Sequence, residues 1–481
     1  SRRAAIQRQL LPVIIGWLGQ GPDPDNGLLS FRLLSETIGG SHWYLAMLRD
    51  SRAAARCLCH VLSGARWTTE RLAERPESIA WLDGADELTA RDPRTLRTEV
   101  RSLLRRRALS GDDGAGLQDW AAEAVHALMS VRTRELIRAA LADSLDGVDP
   151  ERTARILTDA TDAVLDGVLT VATGVVIALR EGPEAVATGP DEAGTWPGAL
   201  ARHSVVAMGR LGGAETTYAS DADVLFVHEP KSGVDPRAAA EEADALARWT
   251  VRLLSGARPH SLEVDADLRP EGHHGPMSRT LDSYAKYYER WSAVWERQAL
   301  LRARACAGDA GLARAFEELV APLRWSPEGL TREGLREIRR LKARMEAERL
   351  PRGTAPARHL KLGPGGLSDV EWAAQVLQLQ HAAWVPGLRT TSTLAALDAA
   401  QEAGLLSEDE AGDLRQAWLL ASRVRAATVL GTGRDHGARV EVLPDSPREI
   451  RLVGRLLGMV PGRERDLEDL YRRRARHARA A

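Results

Sequence analysis

Cysteine is scarce in this sequence, and so is net charge. Three cysteines in 481 residues, Cys57, Cys59 and Cys306, cannot build a disulfide framework. The Cys57, Cys59 and His60 cluster lacks the second ligand pair that a structural zinc site needs, so it reads as ordinary helix content. A formal net charge of -2 gives no reason to expect general nucleic-acid binding, and any anionic ligand has to be handled locally. The most apolar run, Val164 to Leu179, is interrupted by Asp166 and falls short of a membrane span. No signal peptide is visible, so the expected location is cytoplasmic, away from any membrane. Internal repeats and low-complexity tracts are missing too. The chain starts at Ser1 without an initiator methionine, which is expected of a fragment of a longer protein.

What is present is globular: 44% hydrophobic and 27% charged residues, in a chain long enough for two or three domains. From Ala4 to Leu179 apolar residues recur at three and four, and alternating β-branched runs are absent, which predicts helices, among them Pro93 to Leu109 and Glu151 to Leu179. A Gly/Pro/Asp-rich stretch, Glu181 to Pro197, reads as a linker. Strands are then predicted at His203 to Met208, Val224 to Val227 and Leu262 to Leu268, with a helix over Ala238 to Leu254. After residue 280 the pattern returns to helix, including one over Leu281 to Arg304. The expected architecture is α+β and mostly α-helical: a helical domain over 1–190, a small sheet domain over 191–345 and a C-terminal helical bundle over 346–481.

The stretch Gly209 to His228 carries the chemistry. Gly212 and Gly213 allow backbone N–H groups to approach a phosphate, and Ser220, Asp221 and Asp223 follow at once. In an extended strand Asp221 and Asp223 share a face, and two crowded carboxylates call for a cation. In the third predicted strand Glu263, Asp265, Asp267 and Arg269 fall on one face, so a third carboxylate joins them. Three acids beside a glycine turn suit two-metal nucleotidyl transfer. The bland alternative is a capped turn and a solvated strand face.

Gly209-Arg210-Leu211-Gly212-Gly213, Glu215, Tyr218 and Ser220-Asp221-Ala222-Asp223 together resemble the signature of the bifunctional glutamine synthetase adenylyltransferase/deadenylylase family, among the polymerase-β-like nucleotidyltransferases. The similarity continues through Val264 to Gly272, Tyr288 to Trp291, Trp295 to Arg304 and Lys361 to Glu371. The resemblance implies that Asp221 and Asp223 hold two Mg²⁺ ions and that Asp265 completes the catalytic metal site. It also implies that Gly212, Gly213 and Ser220 contact the phosphates of ATP, and Lys361 is a further candidate for those phosphates. Arg210, Thr216 and Asp267 stand where many members have lysine, leucine and arginine. Asp267 therefore competes with Asp265 as third ligand, and its place in the motif favours Asp265. Members usually carry two such units, one removing AMP from glutamine synthetase by phosphorolysis and one adding it from ATP. The helical segment Leu10 to Leu82 and the run Pro444 to Ala478 resemble the adenylylating half. Glutamine synthetase is then the expected partner, with a PII signalling protein and glutamine as regulators.

Other features have structural explanations. Ser368-Asp369-Val370-Glu371 has the form of a capping box. Arg297, Arg302 and Arg304 either line an anionic site or pair with distant segments. Trp291 and Trp295 share a predicted helix face and read as core, His273 and His274 as a solvated loop, and the basic tail Arg472 to Arg479 as a solvated helix end.

Overall fold

A computed structural model describes residues 2–106, 116–192 and 194–481. Among the described residues the architecture is α+β and mostly helical, with one small mixed sheet of five strands: β1 (Ala201–Ala207), β2 (Ala222–Pro230), β3 (Val264–Asp265), β4 (Ser278–Arg279) and β5 (Arg304–Gly308). The helix predicted over 93–109 spans Pro93–Arg105, and residues 107–109 lie outside the described residues.

The helix Pro150–Glu181 is the spine. Asp149 caps it by accepting the amides of Glu151 (3.1 Å) and Arg152 (3.2 Å), Pro150 sits in its first turn, and Gly182 follows its end. Its length and a mean hydropathy of 1.8 would allow it to cross a membrane, but 89% of its apolar window is buried inside the protein, against Leu117–Asp146, Pro93–Arg105 and Pro236–Gly256. The acids on this helix anchor the sheet: Asp166 accepts the amide of Gly308 (2.9 Å), and Asp162 takes a bidentate contact from Arg304 (2.6 and 3.0 Å).

In the sheet, β1 lies between β2 and β5, antiparallel to both, while β3 and β4 run parallel to β2. Val205, Ala207, Val224 and Phe226 face Val168, Leu246 and the N-terminal helices. Val206, Met208, Leu225 and Val227 face Tyr284 and Phe316. Cover on both faces explains the unbroken apolar run Val224 to Val227. A separate large core joins the two ends of the chain, packing Leu18, Leu58 and Trp67 with Leu360, Trp418 and Tyr471.

Several expectations need correction. The third strand is two residues long, not seven. The Asp265 side chain accepts the amide of Asp267 (2.7 Å) and Ala266 O accepts that of Arg269 (3.2 Å), so the chain turns directly after Asp265. The predicted helix over 281–304 is two helices, Leu281–Trp291 and Val294–Leu300, followed by β5. Trp291 and Trp295 therefore share no helix face, and they are 62% and 38% exposed rather than core. The Ser368 capping box does not form. The helix Leu367–His381 starts after Gly366 without a side-chain cap, and Asp369 instead accepts the amide of Gly365 (2.6 Å).

Candidate active site

Where β1 ends, Met208 donates its amide to Asp223 O (2.8 Å), fastening the exit of one strand to the start of the next. Gly209 then adopts φ +52°, and a Cβ there would stand 1.9 Å from Asp223 Oδ2. Only glycine allows both the turn and the carboxylate beside it. A single helical turn, Gly209–Gly212, follows. Gly212 packs against Arg302 O, and Gly213 against the Arg302 guanidinium, where Cβ atoms would stand 1.9 and 2.1 Å away. The amides of both are used within the turn, donating to Met208 O (2.7 Å) and Gly209 O (3.1 Å). Ser220 Oγ accepts the amide of Thr217 (2.9 Å) in the loop that delivers Asp221.

Asp223 and Asp265 are register partners in the parallel pairing of β2 and β3, and Asp221 stands exposed just before β2. Burial raises the Asp223 carboxyl to about 6, reinforced by the charges of Asp221 and Asp265 and opposed by Lys361 and Arg210. Asp267 is turned away: its carboxylate is 63% exposed and pairs with Arg269 (3.1 Å). Among the described residues no three His, Cys, Asp or Glu side chains are already drawn together at metal-holding distance. The chemistry of the set nevertheless fits a hard divalent cation, because the donors are all carboxylate oxygens and, after burial, their mutual repulsion disfavours charge on Asp223.

Lys361 faces this acid group from the C-terminal region. Its ammonium makes no hydrogen bond or ion pair among the described residues, and burial, then the charge of Arg210, lower its pKa. Four neighbours were not predicted as site residues: Arg210, named only where it replaces a family lysine, Glu371, named only within the capping-box form, and Arg425 and Glu441. Arg210 Nη2 pairs with Glu371 Oε1 (3.1 Å), and Arg425 pairs with Glu441. Arg210 and Glu371 both lie in the family-like stretches, where their opposite charges are the available signal; Arg425 and Glu441 lie in stretches with no such signal. Arg297, Arg302 and Arg304 serve distant segments: Arg297 Nε donates to Leu323 O (3.1 Å), Arg302 pairs with Glu215 (2.9 Å) and Arg304 with Asp162. His273 and His274 are exposed in a short turn.

Residues 55–319 match the family model described as glutamate-ammonia ligase adenylyltransferase, and residues 337–480 the one described as GlnD PII-uridylyltransferase. The whole chain is 47% identical to the bifunctional glutamine synthetase adenylyltransferase/adenylyl-removing enzyme of Streptomyces coelicolor, of which it covers 46%. It is 45% identical to the enzyme of that name from Leifsonia xyli, covering 44% of it, and 41% identical to that of Mycobacterium leprae, covering 45%. The chain thus spans about half the length of the curated relatives it matches. With a family model matched over more than half its length, the chain belongs to the glutamate-ammonia ligase adenylyltransferase family.

Proposed function

We propose that this chain is a nucleotidyltransferase that moves AMP from ATP to a tyrosine hydroxyl of glutamine synthetase, as the adenylylating half of such an enzyme. The observation that carries the reading is Asp223, pushed up to about 6 by burial and by Asp221 and Asp265, with Lys361 and Arg210 set against it. The tyrosine oxygen attacks the α-phosphorus, the bond to the β-phosphate oxygen breaks, pyrophosphate leaves, and Asp265 orients the hydroxyl and takes its proton. Asp221, Asp223 and Asp265 are the side chains that would hold Mg²⁺, which when bound neutralises phosphate charge and acidifies the hydroxyl. Lys361 and Ser220 hold phosphate oxygens. Gly212 and Gly213 shape the turn that brings the phosphates near, their own amides being engaged within it. On this reading 191–345 is the catalytic core, between the helical domain 1–190 and the bundle 346–481. The likeness of residues 337–480 to a PII-uridylyltransferase model supports a PII signalling protein and glutamine as regulators acting through the bundle.

The test is to incubate the chain with glutamine synthetase, Mg²⁺ and ATP labelled in its α-phosphate. Label is expected on the synthetase, and none with Asp223→Asn. Release of ADP from adenylylated synthetase and phosphate, without labelling, would assign the chain to the deadenylylating half. Nucleotide binding with neither reaction would make it a sensor.

A further inference from the structure

Arg425, on the helix Glu408–Thr432, is 5% exposed, yet among the described residues its Nε and Nη1 have no hydrogen-bond partner; it pairs with Glu441 through Nη2. The same is true of Nη1 of Arg210 and of Oε2 of Glu441, both buried. Lys361, whose ammonium makes no hydrogen bond or ion pair among the described residues, is brought beside Glu441 because Leu360 donates its amide to Glu441 O (2.7 Å) and His359 bridges Val442. Three cations thus meet two carboxylates, Glu371 and Glu441, beside Asp223. Burial followed by Glu441 and Arg210 acts on Arg425, and burial followed by Arg425, Arg210 and Lys361 acts on Glu441. A buried guanidinium with unused donors is costly, and a structural ion pair would be expected to satisfy them.

We propose that Arg210, Lys361 and Arg425 form a pocket for the β- and γ-phosphates of a nucleoside triphosphate, and for the pyrophosphate that leaves, with Glu441 holding the cations in place until the phosphates arrive. The inference rests on the proposed nucleotidyl transfer, and it extends the site to two residues of the C-terminal helical region. Arg425 donates from its unused Nε and Nη1 to phosphate oxygens, a charge-assisted contact suited to a planar guanidinium. Glu441 holds Nη2 of the same guanidinium and sets a negative charge beside the phosphates, so its charge opposes binding of the polyphosphate and leaves the AMP portion untouched. That sign separates the proposal from a purely structural pair: a structural Glu441 would be missed when neutralised, whereas a competing Glu441 would not.

The experiment measures binding of inorganic pyrophosphate, ATP and AMP to the full chain by calorimetry, for the unmodified protein, Arg425→Gln and Glu441→Gln, with thermal melts alongside. Expected for Arg425→Gln is a loss of about tenfold or more in affinity for pyrophosphate and ATP, with AMP changed less than about twofold. Expected for Glu441→Gln, which keeps the shape of the side chain should Arg425→Gln fail to fold, is tighter pyrophosphate binding. The proposal is overturned if the unmodified chain binds no pyrophosphate, if Arg425→Gln weakens AMP as much as ATP, or if Glu441→Gln leaves pyrophosphate affinity equal or lower. Transfer of AMP by a chain with any of these results would leave the proposed function standing alone. Pyrophosphate binding with the expected pattern but no transfer would do the reverse.

Discussion

Gly209 and Asp223 are fitted to each other: the glycine, at φ +52°, lies where a single added methyl group would come within 1.9 Å of the Asp223 carboxylate. The closest contacts are with Oδ2 and Cγ of Asp223 (1.9 and 2.8 Å), which rotation of the side chain relieves, while its Cβ at 3.2 Å has to give only slightly. Gly209→Ala is therefore expected to cost only about 1 kcal/mol from the left-handed backbone while displacing Asp223, with a loss of transfer of about a hundredfold. Gly212→Ala should behave in the opposite way, because its Cβ would meet the backbone carbonyl of Arg302, which cannot move alone. Melting temperatures and transfer rates of the two variants check the contrast; equal activity in Gly209→Ala and the unmodified chain would remove Gly209 from the site.

A carboxyl raised from 3.8 to about 6 makes the folded state bind a proton that the unfolded state has already released. Stability from this group is complete below the unfolded value and is lost as pH rises through about 6, so at pH 7 and above the ionised Asp223 costs on the order of 3 kcal/mol. Asp223→Asn is expected to melt higher than the unmodified chain at pH 8, by a margin that shrinks toward pH 5, while losing transfer. Added Mg²⁺ should raise the melting temperature of the unmodified chain and have little effect on the variant. Scans across that pH range, with and without Mg²⁺, decide it.

Much of this site was legible because its parts lie close together in sequence. The apolar runs of β1 and β2, the glycines and Asp221 and Asp223 all fall within about thirty residues, and short unbroken apolar runs with glycine punctuation mark them. β5 was not legible: Arg304 to Gly308 has no β-branched residue, and it is a strand because Asp162 and Asp166 of the spine helix hold its ends. The alternation from Leu262 to Leu268 misled in the other direction, since an Asp side chain that captures a backbone amide ends a strand without disturbing the pattern. Arg425 and Glu441 met Lys361 only through packing of the C-terminal helices, which no local spacing encodes.

Glu215 links the glycine turn to the C-terminal helices. It pairs with Arg302 (2.9 Å) and accepts the amide of Thr393 (2.6 Å), while Arg302 donates to Thr391 O (2.6 Å) and to Thr393 Oγ1 (2.6 Å). Removing one member leaves the other buried without its partner, so Glu215→Ala should cost about 3–5 kcal/mol. Glu215→Gln retains acceptor capacity and should cost less. Denaturant unfolding of both variants is the measurement, and equal losses would mean that charge, not hydrogen bonding, holds the link.

The turn after β3 separates the two acids that sequence alone left in competition. Asp265 is in register with Asp223 and acts on its ionisation, whereas Asp267 points to solvent and pairs with Arg269. If Asp265 takes the tyrosine proton, Asp265→Asn should lower transfer by about a hundredfold or more. It also keeps an oxygen able to accept the Asp267 amide, so the turn and the fold should persist. Asp267→Asn removes the ion pair to the buried Arg269, which keeps its bond to Ala266 O (2.8 Å), and should leave transfer within a few-fold. A large loss in Asp267→Asn with normal rates in Asp265→Asn would exchange the two roles. That result would require the chain after Val264 to continue as strand when substrate binds, since only then does the Asp267 side chain return to the face of Asp223.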